Sequence, residues 1–212
     1  MPFTDRRDAG RRLAARVESL RGPDTVVLGL PRGGVPVAAE VAEALQAPLD
    51  VVVVRKLGVP YQPELALGAI GEDGVRVVDA EILRRSGVTE QQLAAVEEWE
   101  QQILRARVLA LRGDRPPRTL LGRTAVVVDD GIATGSTARA ACRLVRLRGA
   151  ARVVLAAPVA PAGAAERLTG PDAADQAVFL ETPRRLTAVG RWYRDFAQVD
   201  DSEVAALLRR LG

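Results

Sequence analysis

The sequence predicts an α/β fold, a Rossmann-like parallel sheet flanked by helices, with a helical and hairpin insertion and a small C-terminal segment. Two observations carry this. Mainly aliphatic runs, Thr25–Leu30, Leu49–Val54 and Thr124–Val128, alternate with stretches of helical period. A strand that is apolar at every residue needs cover on both faces, which a parallel sheet between helix layers provides. The order strand, Gly-rich turn, helix, strand also occurs twice, over residues 25–54 and 124–156. That order is the βαβ unit. A chain of 212 residues suits a single domain, here 1–212, with an elaborated core.

Residues 5–20 read as an amphipathic helix. Leu13, Val17 and Leu20 share a face, Asp5 caps the start and Gly22-Pro23 ends it. The strand Thr25–Leu30 is followed by the turn Pro31-Arg32-Gly33-Gly34. A helix over Val35–Leu45 begins with Pro36 in its first turn, where the missing N–H costs nothing. The strand Leu49–Val54 completes the unit. Residues 56–122 read as an excursion from the sheet. Gly58–Glu64 reads as a loop. Ala66–Ile70 and Val75–Val78 flank the hairpin signal Gly71-Glu72-Asp73-Gly74. Thr89-Glu90-Gln91-Gln92 has capping-box spacing and opens a long helix to about Arg112, with Leu93, Val96, Ile103 and Leu111 inward. Gly113–Arg118 is a linker. The second unit has a strand at Thr124–Val128, a turn at 129–135, a helix at Ser136–Arg148 and a strand at Val153–Ala156. A short helix around Gly163–Leu168, a strand at Ala177–Leu180 and a tail ending in a helix at Ser202–Leu211 follow.

Composition excludes several chemistries. Histidine is absent and there is one cysteine, Cys142. Ser-His-Asp and Cys-His catalysis, imidazole metal sites and an internal disulfide are therefore ruled out. The excess of basic over acidic residues is three, Lys56 is the only lysine, and the arginines are scattered. Nucleic-acid binding usually needs a clustered basic patch, so small anions are the expected partners. No run reaches membrane-spanning length and no apolar leader core stands at the start, so no membrane association is expected and the cytoplasm is the expected compartment.

The segment carrying most chemistry is Val126-Val127-Val128-Asp129-Asp130-Gly131-Ile132-Ala133-Thr134-Gly135-Ser136-Thr137. Two carboxylates at a strand end accept hydrogen bonds from vicinal hydroxyls. Gly131 and Gly135 allow close backbone approach. A helix N-terminus with Thr134, Ser136 and Thr137 offers N–H and O–H donors to phosphate. Together these suit a phosphorylated ribose. A P-loop needs a lysine before its Ser/Thr, and the dinucleotide fingerprint does not fit Gly29–Gly34. An Asp pair alone more often marks a solvated helix start; the full constellation favours a ligand site.

This stretch resembles the ribose-phosphate signature of type I phosphoribosyltransferases: an apolar strand, two acids and a T-G-x-T turn. The chain as a whole is similar to that family's "predicted phosphoribosyltransferase" branch, which has comparable L-P-R-G-G and V-R-K-L-G-x-P segments and a W-Y-x-D-F tail. The resemblance implies the type I phosphoribosyltransferase fold, with residues 181–212 as a C-terminal hood. It implies 5-phosphoribosyl 1-pyrophosphate as donor, Mg2+ as cofactor, a small-molecule acceptor with a nitrogen nucleophile, and a homodimer. Asp129 and Asp130 would hold the ribose hydroxyls, and Ala133–Thr137 the 5′-phosphate. Arg32, Gly33 and Gly34 correspond to the pyrophosphate loop, with a cis peptide expected at Arg32-Gly33. Arg55 and Lys56 would contact pyrophosphate, and Gly58–Glu64 would be the mobile loop closing over the donor. The substrate would hold most of the Mg2+ coordination, with Asp129 and Asp130 as the candidate protein contacts.

The acceptor is less legible. Trp192, Tyr193 and Phe196 either stack on a ring or pack the C-terminal helix, and packing is favoured. Trp99 and Cys142 read as packing residues. Purine-salvage relatives that deprotonate their base carry an acid where this chain has Ala133. Adenine, pyrimidine, orotate-like and non-nucleobase acceptors therefore stay open. Two other functions fit the same motif: a non-catalytic sensor of the donor, and a hydrolase or phosphorylase acting on a phosphorylated ribose.

Overall fold

The computed structural model describes residues 2–212, the side chain of Glu64 excepted. A five-stranded sheet forms the centre in the order β2 (Leu49–Val51), β1 (Thr25–Gly29), β6 (Thr124–Val128), β7 (Arg152–Val159), β8 (Gln176–Glu181). All its pairings are parallel. Alternate residues of its strands enter two separate cores. Val27, Val126, Val128 and Val154 pack on one face; Val26, Leu28, Ala125, Val127 and Leu155 pack on the other. Burial on both faces explains the unbroken valine runs.

On the first face lie α1 (Arg6–Val17), α2 (Gly34–Leu45), α4 (Glu90–Arg112) and α7 (Asp201–Leu211). On the second lie α5 (Ser136–Leu147) and α6 (Ala164–Leu168). Asp5 caps α1 by accepting from the Asp8 N–H, and Thr89 with Gln92 forms the capping box of α4. Among the described residues no helix is long and apolar enough to cross a membrane.

The insertion contains the hairpin predicted around Gly71–Gly74 and departs from the sequence reading in two other ways. Residues expected as a loop at 58–64 lie in a hairpin of β3 (Arg55–Val59) and β4 (Gln62–Ile70); Glu64's side chain lies outside the described residues. The pairing register shifts around Gly58, and a Cβ there would stand 2.8 Å from the Pro63 carbonyl. Glycine and proline, normally turn signals, here permit a bulge. β5 (Arg76–Val78) pairs with β4, completing a three-stranded antiparallel sheet. A further helix, α3 (Ala80–Ser86), capped by Asp79, precedes α4.

Smaller corrections follow from packing. β2 ends at Val51 rather than Val54, although the Val52 N–H still reaches the Gly29 carbonyl at 3.1 Å. In α4 it is Leu104 that is fully buried, while Ile103 is half-buried. Cys142 is buried as expected, but Trp99 is 64% exposed and is no core residue.

Candidate active site

The chain leaves β1 toward β2 on one side and, after the insertion, returns at β6 on the other. The carboxyl ends of β1 and β6 thus flank the topological switch point, where open α/β sheets bind ligands. Both unusual turns lie there. The Leu30 N–H donates to the Val128 carbonyl at 2.8 Å, fastening one turn to the other.

Glycine is required at this contact. A Cβ on Gly34 would stand 2.6 Å from the Val128 carbonyl oxygen and 2.9 Å from the Asp129 Cα; one on Gly33 would collide with Asp130 Oδ2. Gly34 faces backbone, which cannot swing away. We expect Gly34→Ala to lower unfolding free energy by about 1–3 kcal/mol in urea titrations, through forced separation of the turns. Unchanged stability would contradict this close contact. The cis peptide is Pro31–Arg32, one bond earlier than expected from the sequence.

Asp129 and Asp130 are half-buried at the end of β6. Asp129 Oδ1 accepts from the Asp130 N–H at 2.9 Å. Burial raises both carboxyls above the ordinary range; the neighbouring Asp130 charge raises Asp129 further, while Arg6 opposes the rise at Asp130. An uncharged first partner is therefore favoured at this edge until a ligand or cation arrives.

Beyond them the turn opens to solvent. Ala133, Thr134, Ser136 and Thr137 are exposed, and Gly131 and Gly135 are buried. Gly135 caps α5 at φ +84°, a conformation that suits glycine. The Thr134 and Ser136 hydroxyls lie 3.0 Å apart. The first-turn N–H groups of α5 lack intrahelical acceptors, so this helix start offers N–H donors beside the two hydroxyls.

Arg6, which no local pattern singles out, and Tyr193, one of the tail aromatics, complete the acidic end. Arg6 Nε donates to Asp130 Oδ2 at 2.9 Å, its Nη1 donates to the Ala197 carbonyl at 2.7 Å, and its guanidinium lies 3.9 Å from the Phe196 ring centroid. The Tyr193 hydroxyl donates to the Asp130 carbonyl at 2.5 Å. Tyr193 packs on Phe3 and Phe196. The aromatic group of the tail therefore packs the N-terminal segment and the acidic turn rather than α7. The Phe3 N–H bonds to the Trp192 carbonyl at 2.7 Å, so residues 3–6 and the tail form one cover. A Cβ on Gly131 would collide with the Val189 side chain, which places that cover directly over the turn.

The basic candidates are spread wider. Arg32 Nη1 lies 3.9 Å from Asp201 at the first turn of α7. Arg55, expected at pyrophosphate, holds Glu100 of α4 at 2.6 Å. Lys56 is exposed on β3, and Trp99, Pro60 and Pro63 line the same open groove. Among the described residues no group of three or more His, Cys, Asp or Glu side chains is arranged to hold a metal. A magnesium ion keeps several waters and takes one or two carboxylates with substrate oxygens, and the Asp129–Asp130 pair fits that donor set.

A family model described as a phosphoribosyl transferase domain matches residues 5–181. The chain belongs to this family. The match spans both turns and the insertion, and it ends at the last residue of β8. Two proteins of Mycobacterium tuberculosis, each named "Putative phosphoribosyl transferase", are 55% identical over 208 residues, covering 98% of this chain and 46% of theirs. The chain thus spans about half the length of the curated relatives it matches. The crystal structure of TT1426 from Thermus thermophilus superposes with a TM-score of 0.89 at 44% identity, covering 100% of this chain and 99% of that one. In this phosphoribosyl transferase domain the parallel sheet, its helical flanks and the two apposed turns are all in place.

Proposed function

We propose that this protein transfers the phosphoribosyl group of 5-phosphoribosyl 1-pyrophosphate, as its Mg2+ complex, to a small acceptor bearing a nitrogen nucleophile. The observation that supports it most is the meeting, at one switch point, of a carboxylate pair, an open Thr/Ser turn and a Gly-Gly turn. These match the ribose, the 5′-phosphate and the pyrophosphate of one molecule.

Asp129 and Asp130 accept from the ribose hydroxyls and lie near the positive charge that develops on the sugar. Thr134, Ser136 and Thr137, with the backbone of Gly131, Ala133 and Gly135, cradle the 5′-phosphate. The Gly33 and Gly34 backbone, Arg32 and Lys56 bind pyrophosphate; Arg55 joins them by exchanging Glu100 for a phosphoryl oxygen. Magnesium supplies neutralisation of the leaving diphosphate. The anomeric C–O bond breaks with its electron pair leaving on pyrophosphate, and the nitrogen lone pair forms the new bond while its proton passes to solvent. The protein's contribution is position and electrostatics, since no histidine is available as base.

We place this chemistry in the cytoplasm, a compartment that suits a buried, unpaired Cys142. A homodimer belongs to the same proposal, because Trp99 lies 64% exposed in an open apolar groove. Light scattering at the mass of one chain would remove that part.

Pyrophosphate release across a panel of nucleobases and related amines tests the reaction. At least one acceptor should give release that Asp130→Asn reduces by about a hundredfold or more. Donor binding with no release for any acceptor would favour the sensor; ribose 5-phosphate or a ribose 1-phosphate as product, seen by phosphorus NMR, would favour the hydrolase or phosphorylase.

A further inference from the structure

A second cavity, rich in arginine, lies on the opposite edge of the sheet. Leu49, the first residue of β2, and Arg123, just before β6, line a half-open cavity of about 440 Å3. It lies at the amino ends of the strands, whereas Asp129 follows the carboxyl end of β6. Five residues of extended strand, about 17 Å, separate the two levels. The cavity is therefore distinct from the candidate active site, and it falls within the size range of small-molecule sites.

Its charge is strongly one-signed. Four arginines line it: Arg112, Arg115, Arg118 and Arg123. Arg112 is neutralised by Asp50 and Glu72. Among the described residues no carboxylate pairs with the other three. Arg115 donates to carbonyls only, to Leu208 at 2.6 Å and Arg112 at 3.4 Å. Asp50, the acidic side chain in the lining, is already engaged by Arg112 and by the Arg118 N–H at 2.9 Å; Gly212 also lines the cavity, beside Arg115.

Three uncompensated guanidiniums in one concavity repel one another, and a low-dielectric wall focuses their field on whatever enters. Guanidinium forks match phosphoryl oxygens, and the Arg115 side chain and the Arg118 backbone are held before any ligand arrives. The Arg118 amide is fixed on Asp50, its carbonyl accepts from Arg148 Nη2 at 3.3 Å, and Pro116-Pro117 stiffens the approach. No aromatic side chain lines the cavity, so nothing there stacks on a base.

We propose that this cavity binds a compact oligophosphate through Arg115, Arg118 and Arg123, recognising the phosphoryl groups rather than a nucleobase. Calorimetric titration of inorganic pyrophosphate into the full chain, beside Arg118→Gln/Arg123→Gln, tests it. The double variant should lose one pyrophosphate site, or weaken it by about tenfold or more, at an unchanged unfolding midpoint. Arg118→Lys/Arg123→Lys should restore part of the affinity. If the active-site reading holds, the stoichiometry falls from two to one; if that reading fails, it falls from one to none, so the two outcomes are separable. ATP should compete for the site no better than inorganic triphosphate does. Equal stoichiometry and affinity in wild type and double variant would overturn the proposal. So would loss of short-RNA binding by the double variant with no pyrophosphate bound by either protein, which would make the surface a phosphodiester contact.

Discussion

Replacing Arg112 with methionine lowers unfolding free energy by about 3–5 kcal/mol, the usual consequence of stripping one partner from a buried ion network. The Arg112 side chain is 2% exposed, and its acids Asp50 and Glu72 are 5% and 9% exposed. Its Nε donates to Asp50 at 2.8 Å, its Nη1 to Glu72, and its Nη2 to Glu72 at 3.0 Å and to the Val51 carbonyl at 3.1 Å. Asp50 also accepts from the Val51 and Arg118 N–H groups. The cluster joins β2, the turn after β4, the end of α4 and the linker. Methionine fills the space but leaves two carboxylates buried without a cation. Lysine keeps the charge without the fork and should recover only part of the loss. The triple variant Asp50→Asn/Glu72→Gln/Arg112→Met should recover most of it, because the uncompensated charge is then gone. Equilibrium denaturation measures all three; a loss below about 1 kcal/mol in Arg112→Met would contradict this account.

Asp129→Asn/Asp130→Asn abolishes donor binding, while Asp129→Asn alone, which leaves the Arg6–Asp130 pair in place, makes the free protein more stable at neutral pH. Both effects have one cause. Burial raises both carboxyls in the folded chain, the Asp130 charge raises Asp129 further, and Arg6 opposes the rise at Asp130. Between the ordinary carboxylate range and the raised value, the folded state holds more protons than the unfolded state. The stabilising protonation is complete at low pH and is lost as pH rises through the raised value. Asparagine at 129 keeps the oxygen that accepts from the Asp130 N–H but carries no charge. The Asp129→Asn single variant should gain about 1–2 kcal/mol near neutral pH and lose that gain in mild acid. A gain that persists unchanged to low pH would point to packing rather than charge. Binding runs the other way: hydroxyl donors and a divalent cation select the ionised pair, so donor affinity should strengthen as pH rises through the raised value, with protons released.

Much of this was legible because it is local. Valine runs at 25–30 and 124–128 can only be strands covered on both sides, and Asp129–Thr137 carries its chemistry within nine residues. The order of elements then brings Gly33 and Gly34 against that turn. What escaped depends on pairing at a distance. Arg112 ends an amphipathic helix, where an arginine ordinarily meets solvent and the helix dipole; its acids stand 62 and 40 residues away. Arg6 finds Asp130 across 124 residues. Tyr193 reads as a tail aromatic until its hydroxyl is seen on the Asp130 carbonyl. In α4 Leu93, Val96 and Leu111 face the core as predicted, and the one miss is Ile103, whose place Leu104 takes. In the 58–64 hairpin, glycine and proline signal a loop in any window too short to contain the partner strand.

The most direct test of the central claim, that Asp129, Asp130 and the Thr134–Thr137 turn hold a phosphorylated ribose, is calorimetric titration of 5-phosphoribosyl 1-pyrophosphate with Mg2+. Wild type should bind one donor at this edge, with proton release near neutral pH. Asp129→Asn/Asp130→Asn, shown to be folded by circular dichroism, should give no donor heat. Donor affinity in the double variant equal to that of wild type, or a wild type that binds no donor at all, would contradict the account.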